Sequence, residues 1–106
     1  MTKLEQAKDP NTSPEILSVL ATDKDWYVRD WVALNPNTST ETLQVLATDE
    51  HYYVRRSVAY NSNTSPEILQ VLATDEYWDV RHYVARHPNS TELIRRLVLM
   101  TDAQEK

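Results

Sequence analysis

The chain contains no cysteine and no glycine. Without cysteine, disulfides, thiol nucleophiles and thiolate metal sites are all excluded. Without glycine, the phosphate-cradling loops of nucleotide-binding motifs cannot form. No apolar run approaches the ~20 residues of a membrane span, and the opening residues MTKLEQAKDP lack the apolar core of a signal peptide. The expectation is a soluble cytoplasmic protein with no membrane partner. Bases are also scarce: 11 Lys and Arg against 16 Asp and Glu give a net charge of −5. That balance argues against generic nucleic-acid affinity, which needs a basic footprint. The deficit lies in residues 1–50, with nine acids and four bases, whereas residues 51–106 carry seven of each. Arg55, Arg56, Arg81, Arg86, Arg95 and Arg96 therefore leave room for a local basic stripe.

What the chain does have is repetition. Asn11, Asn37 and Asn63 each open a block NTSxExLxVLATDxxxxVRxxVA, 26 residues apart. Self-similarity at a fixed period of this length is the signature of a solenoid, in which each copy is one supersecondary unit stacked on its neighbours. The expected fold is all-α: a short right-handed α-solenoid of three two-helix repeats with partial capping repeats at both ends. Residues 1–10 are expected to be an N-terminal half-repeat cap, residues 11–36, 37–62 and 63–88 the full repeats, and residues 89–106 a C-terminal cap. Together they make one domain, just above the roughly three repeats a stable stack needs.

Within a repeat, Thr12 and Glu15 have the spacing of a capping box, repeated at Thr38/Glu41 and Thr64/Glu67. Pro14 and Pro66 fall in the first turn, where a missing N–H is harmless. A short leading helix follows, with Leu17, Leu20 and Ala21 on one face and Ile16 and Val19 widening it, a stripe broad enough to demand burial. Thr22-Asp23 breaks the pattern. A trailing helix then runs from about Trp26 to Leu34, with Val28 and Val32 stacked at i, i+4 on its inner side. Asn35-Pro36 ends it, because a residue before proline is steered out of the helical region. Neither helix is long enough to be stable alone. At the N-terminus Ala7 matches Ala33, while Thr2 and Gln6 stand in place of the core valines. After Asn89 the pattern reads as one residue short, with Leu93, Ile94, Leu97 and Val98 apolar and Arg96 in place of Val19, Val45 and Val71. Leu99 and Met100 extend this last helix and either fold back or meet a second chain.

The run Asn35-Pro36-Asn37-Thr38, followed by E-x-L-x-x-L-A and D-x-x-x-x-V-R, resembles the leucine-rich repeat variant family. The D-x5-R spacing of Asp23/Arg29, Asp49/Arg55 and Asp75/Arg81 is similar to that of HEAT repeats. The resemblance covers essentially the whole chain and implies a right-handed helical superhelix. Some leucine-rich repeat variant members hold a cysteine-bound iron–sulfur cluster; this chain has no cysteine, so no cofactor is expected. The HEAT resemblance implies that each arginine bridges an aspartate of its own or the adjacent copy. The alternative is that the aspartate merely caps the trailing helix. Invariance of both residues across the three copies favours the ladder.

Fourteen of the 26 positions are identical in all copies, and these are the capping, core and ladder positions. The differences gather on and just before the trailing helix. Tyr27, Asp30, Trp31 and Leu34 form one stripe at i, i+3, i+4 and i+7. Its counterparts are Tyr53, Arg56, Ser57 and Tyr60 in the second copy, and Asp79, His82, Tyr83 and Arg86 in the third. Side by side, these stripes give a panel rich in Trp, Tyr, Arg and His, the residue types enriched at binding hot spots. The expected partner-binding residues are Tyr27, Asp30, Trp31, Leu34, Tyr53, Arg56, Tyr60, Asp79, His82, Tyr83 and Arg86. Packing between helices is the alternative role for any single ring. Trp26, Tyr52 and Trp78, aromatic in every copy, are expected to be structural wedges at the inter-helix turn.

Other signals are discounted. Asn11, Asn37, Asn63 and Asn89 match the N-glycosylation pattern, but helix capping already explains the hydroxyl residues. His82 and His87 with Asp79 lack a defined third ligand, so no metal is expected. The repeated carboxylates are explained as caps, ladders or solvated residues rather than a catalytic pair. The expectation is therefore a non-enzymatic, monomeric protein–protein interaction module. Two alternatives remain: a nucleic-acid module or acidic DNA mimic built on HEAT-like repeats, and an architectural spacer.

Overall fold

The computed structural model describes residues 1–105, which contain helices and turns and no strand. The helices are α1 (Lys3–Lys8), α2 (Pro14–Leu20), α3 (Trp26–Leu34), α4 (Thr40–Leu46), α5 (Tyr52–Tyr60), α6 (Pro66–Leu72), α7 (Trp78–Arg86) and α8 (Glu92–Gln104). The trailing helices α3, α5 and α7 each have nine residues and the leading helices α2, α4 and α6 seven. Each is too short to persist in isolation, so contacts between helices hold them. Those contacts run down the chain: α1 packs on α3, α3 on α5, α5 on α7 and α7 on α8, while each leading helix leans on the trailing helices beside it. The result is elongated, 45 × 22 × 16 Å.

The leading helices begin one residue later than the capping-box reading implies. Ser13, Ser39 and Ser65 are the N-caps, their hydroxyls accepting from the N–H groups of Ile16, Thr42 and Ile68. Thr12, Thr38 and Thr64 are buried and do something else. Their hydroxyls donate to the carbonyls of Gln6, Val32 and Val58 at 2.5–2.6 Å, fastening each leading helix to the end of the preceding trailing one. That site needs a buried hydroxyl facing a helix C-terminal carbonyl, and a local spacing rule does not describe it. A capping box does occur in α1, between Thr2 and Glu5.

The core is one layer deep. Leu17, Leu20, Ala21, Val28, Val32 and Ala33 are buried, as are their counterparts in the next two repeats except Ala85, which is half-buried. At about 1.5–3 kcal/mol for each fully buried large aliphatic side chain, this row is the main cohesive term. Val19, Val45 and Val71 do not belong to it: they are 69%, 62% and 56% exposed, and Ile16 is also exposed. The seven-residue helices have only one neighbouring layer, so their apolar stripe is narrower than the sequence suggests by the valine column, whereas Thr42 and Ile68, at the place of Ile16, are buried. In α8, Thr91 caps the N–H of Ile94 just as Ser65 caps Ile68, 26 residues earlier. No residue is missing there. Ile94 and Val98 are buried, Leu93 is exposed at 58%, and Arg96 is exposed beside Glu92.

Polar ladders register the layers. Asn35 donates its amide to the carbonyls of Ala7 and Asp9, and Asn61 to those of Ala33 and Asn35. The side-chain oxygens accept from the N–H groups of Asn37 and Asn63. His87 takes over this position: Nε2 lies 2.7 Å from the Asn61 carbonyl, and Nδ1 accepts from the Asn89 N–H at 3.0 Å. A carbonyl only accepts, so the ring carries its hydrogen on Nε2. The Asp/Arg ladder forms, and the capping alternative does not hold, because the N-caps of the trailing helices are Asp25, His51 and Tyr77. Arg29 Nε and Nη2 donate to Asp49 at 2.7 and 3.1 Å, and Nη1 to the Asp23 carbonyl at 2.7 Å. Arg55 repeats this with Asp75 and the Asp49 carbonyl, and Arg81 with Asp102 and the Asp75 carbonyl. Asp23, Asp49 and Asp75 also accept from the N–H two residues on, at Asp25, His51 and Tyr77.

A candidate recognition groove on the trailing helices

The inward valines and the arginines at the helix starts fix the rotation of α3, α5 and α7, and so fix what faces away. Tyr27, Trp31, Tyr60 and Tyr83 are exposed, at 45%, 38%, 63% and 36%. Exposed aromatics at successive positions along a layer are the kind of surface that marks interaction sites. Asp30, Leu34, Tyr53, Arg56, Asp79 and His82 are half-buried between them, and Arg86 is exposed.

Five of these residues converge on one concavity. Asp30 and Leu34 of α3, Arg56 and Tyr60 of α5 and Tyr83 of α7 line a groove of about 310 Å³, together with Ser57. Tyr60 and Tyr83 meet edge to face at 5.3 Å. An adjoining depression adds Arg86 and Pro88 to the same two rings. The other expected residues lie along the flanks. Trp31 has the Lys8 ammonium 4.9 Å from its ring, and Arg56 lies 4.5 Å from the Tyr53 ring centroid and 3.9 Å from Asp79. His82 stacks on Trp78 at 4.7 Å. Tyr27 does not reach the groove: its hydroxyl donates to Asp25, whose carboxylate raises the phenol's pKa.

Ser57 lies in the variable stripe but is not among the expected binding residues, because a small polar residue carries no hot-spot signal of its own. The buried Ser57 hydroxyl donates to Asp30 across the α3–α5 junction. Burial pushes the Asp30 carboxyl above its ordinary value, opposed by the Ser57 hydrogen bond and the Arg56 charge. A half-buried carboxylate on a groove wall can accept hydrogen bonds and hold a cation.

Trp26, Tyr52 and Trp78, expected as wedges at the inter-helix turn, lie at the surface side of that turn. They stand at the first position of each trailing helix, and Trp26 and Trp78 are exposed. Trp26 stacks on His51 at 4.3 Å, and Tyr52 on Tyr77 at 4.4 Å, so each ring meets the residue preceding the next trailing helix. Tyr52 and Tyr53 close the gap at 4.6 Å, making a row of rings beside the groove. His51 and Tyr77 thus join the surface, a pairing evident only when adjacent copies are set in register.

Among the described residues no cluster of three or more His, Asp and Glu side chains is arranged to hold a metal ion, and no helix is long and apolar enough to cross a membrane. His87 is occupied as a structural ladder rung. No family model, curated protein or solved structure matches this chain.

Proposed function

We propose that the chain is a short α-solenoid of three 26-residue repeats, akin to leucine-rich repeat variant and HEAT-like proteins, that works as a non-enzymatic protein- or peptide-binding module. The observation that carries this reading is the division of labour on the trailing helices. Invariant valines, arginines and ladder residues hold the stack, while Tyr60 and Tyr83 wall a groove spanning all three repeats and Tyr27 and Trp31 stay exposed on the same row of helices outside it. Rings kept in water at a concave, rigidly registered surface provide contact area at low conformational cost. Nucleic acid is a poorer fit. Arg29, Arg55 and Arg81 are consumed by the carboxylate ladder, and Arg56 faces Asp79, which takes four of the arginines out of any basic field.

The test is a displayed random-peptide library panned on the native chain and counter-screened against a Tyr27→Ser/Trp31→Ser/Tyr60→Ser/Tyr83→Ser variant of matched circular dichroism and melting temperature. Peptides retained by the native chain and lost on the variant support the reading. Clones that bind both equally, or no enrichment at all, refute it.

A further inference from the structure

The geometry points to the groove between α3, α5 and α7 as a pocket for the side-chain cation of an arginine or lysine carried by a bound peptide, with Asp30 as counter-ion and Tyr60 and Tyr83 as walls. This rests on the reading of the trailing-helix face as a peptide-binding surface and specifies what its deepest point accepts.

Charge on the trailing helices is unevenly paired. They carry two carboxylates, Asp30 on α3 and Asp79 on α7. Asp79 has the Arg56 guanidinium within 4 Å, whereas among the described residues Asp30 has no cation within that distance. The ladder carboxylates Asp23, Asp49, Asp75 and Asp102 all have theirs. Asp30 has a single protein donor, the Ser57 hydroxyl on Oδ1, and burial penalises its charged form. A half-buried carboxylate in this condition gains most from an incoming donor of positive charge.

Three of the nine aromatic rings, none of them lining the groove, already carry a cation from the chain. Lys8 covers Trp31, Arg56 covers Tyr53 and Arg55 covers Tyr77, at 4.9, 4.5 and 5.6 Å from the ring centroids. Tyr60 and Tyr83, which wall the groove, have no such cation from the chain itself among the described residues, and Tyr60 is 63% exposed. Aromatic faces beside a carboxylate are the recurring chemistry for organic cations. Arg56 also lines the groove, but its guanidinium is drawn toward Tyr53 and Asp79. It therefore acts as a repulsive neighbour that a cationic guest must outcompete, and this gives the proposal a signed test.

The probes are the blocked tripeptides acetyl-Ala-X-Ala-amide with X as arginine, lysine, citrulline or glutamate, plus ethylguanidinium as a free cation. Each is titrated into the full chain and followed by NMR at the Asp30 carboxyl carbon and the Tyr60 and Tyr83 ring signals. Arginine and lysine peptides are expected to bind about tenfold more tightly than the citrulline peptide, whose side chain is isosteric but neutral. Asp30→Asn, which keeps an acceptor for Ser57, should remove that advantage. Arg56→Gln should increase it several-fold.

Equal binding of the citrulline peptide, no response to any cationic probe, or preference for glutamate with weakening by Arg56→Gln would each overturn the cation pocket. Ethylguanidinium binding as tightly as the arginine peptide would overturn its assignment to a peptide. Library-selected peptides that need Tyr60 and Tyr83 but ignore Asp30→Asn and Arg56→Gln would leave the peptide-binding face standing and remove this inference alone.

Discussion

Replacing Arg55 by Met keeps the aliphatic stem and removes the guanidinium, which isolates what the ladder contributes. Arg55 donates to Asp75 Oδ2 at 2.7 Å and to the Asp49 carbonyl at 2.7 Å, with a longer third contact to Asp75 Oδ1 at 3.4 Å. The two side chains are only 12% and 8% exposed. After the substitution Asp75 retains the N–H of Tyr77 as a partner, and a carboxylate removed from water is left without a counter-charge. Removing one partner of a buried pair costs about 3–5 kcal/mol; the residual exposure favours the lower end, so the expected loss is about 3 kcal/mol. With a urea m-value of about 1–1.5 kcal/mol/M, the midpoint should fall by roughly 2–3 M.

Arg96→Met provides the control, because Arg96 and Glu92 make the same chemical contact at 2.9 Å while 70% and 76% exposed. There the expected loss is about 0.3–0.5 kcal/mol. A double-mutant cycle with Asp75→Asn, which preserves the side-chain acceptor for Tyr77, should give a coupling of about 2 kcal/mol. Equal losses for Arg55→Met and Arg96→Met, or a coupling below about 0.5 kcal/mol, would refute the reasoning that burial makes the ladder a structural element.

His87→Asn should leave the urea midpoint within about 1 kcal/mol of the native chain, because Asn61 makes the equivalent bonds at that position. His87→Ala should cost about 2–3 kcal/mol by orphaning the Asn61 carbonyl and the Asn89 N–H. Ser90 occupies the place of Thr12, Thr38 and Thr64, yet its buried hydroxyl has no partner among the described residues; Ser90→Thr should raise the melting temperature by stabilising about 0.5–1 kcal/mol, read by calorimetry. Val45→Gln should change stability by less than about 0.5 kcal/mol, since Val45 is 62% exposed, while Leu43→Ala nearby should cost about 3 kcal/mol. Asp30 has a folded pKa above its ordinary 3.8, so its contribution to stability is fully present below that value and is lost as pH rises through the raised one. Asp30→Asn should therefore be neutral to slightly stabilising at pH 7 and lose that advantage below the carboxylate range, as followed by denaturation across pH.

The period and the trailing helices were legible because the signals behind them are local and repeated three times. Val28 and Val32 sit one turn apart, and a proline or its copy ends the helix within two residues of Leu34. Two kinds of feature were not legible. Thr38 and Ser39 are adjacent hydroxyl residues before the same helix, and either can cap it; what assigns them is the Val32 carbonyl, six residues back and brought near only by the turn. The valine columns failed for a related reason. Periodicity reports which residues share a face, but whether the face is covered depends on how many layers surround the helix. A row of leading helices resting on one layer leaves Val19, Val45 and Val71 in water.

The same limit explains the groove. A comparison of copies marks Asp30, Arg56 and Tyr83 as variable, and it lays them out in columns: position 30 against 56, position 31 against 57 and 83. The concavity runs across the columns instead. Asp30 pairs with Ser57, one position out of register, and Tyr60 meets Tyr83, which belongs to the column of Trp31 and Ser57. Adjacent trailing helices thus interdigitate on the diagonal, as ridges packing into grooves do. A small residue at position 57 between a tryptophan at 31 and a tyrosine at 83 is what opens the space, since a third large ring there would fill it. The variability of that column in side-chain size creates the cavity, so Ser57→Tyr should close the groove. In the tripeptide titration it should abolish the arginine peptide's binding while the Arg55–Asp75 ladder, on the opposite edge of the valine core, is untouched.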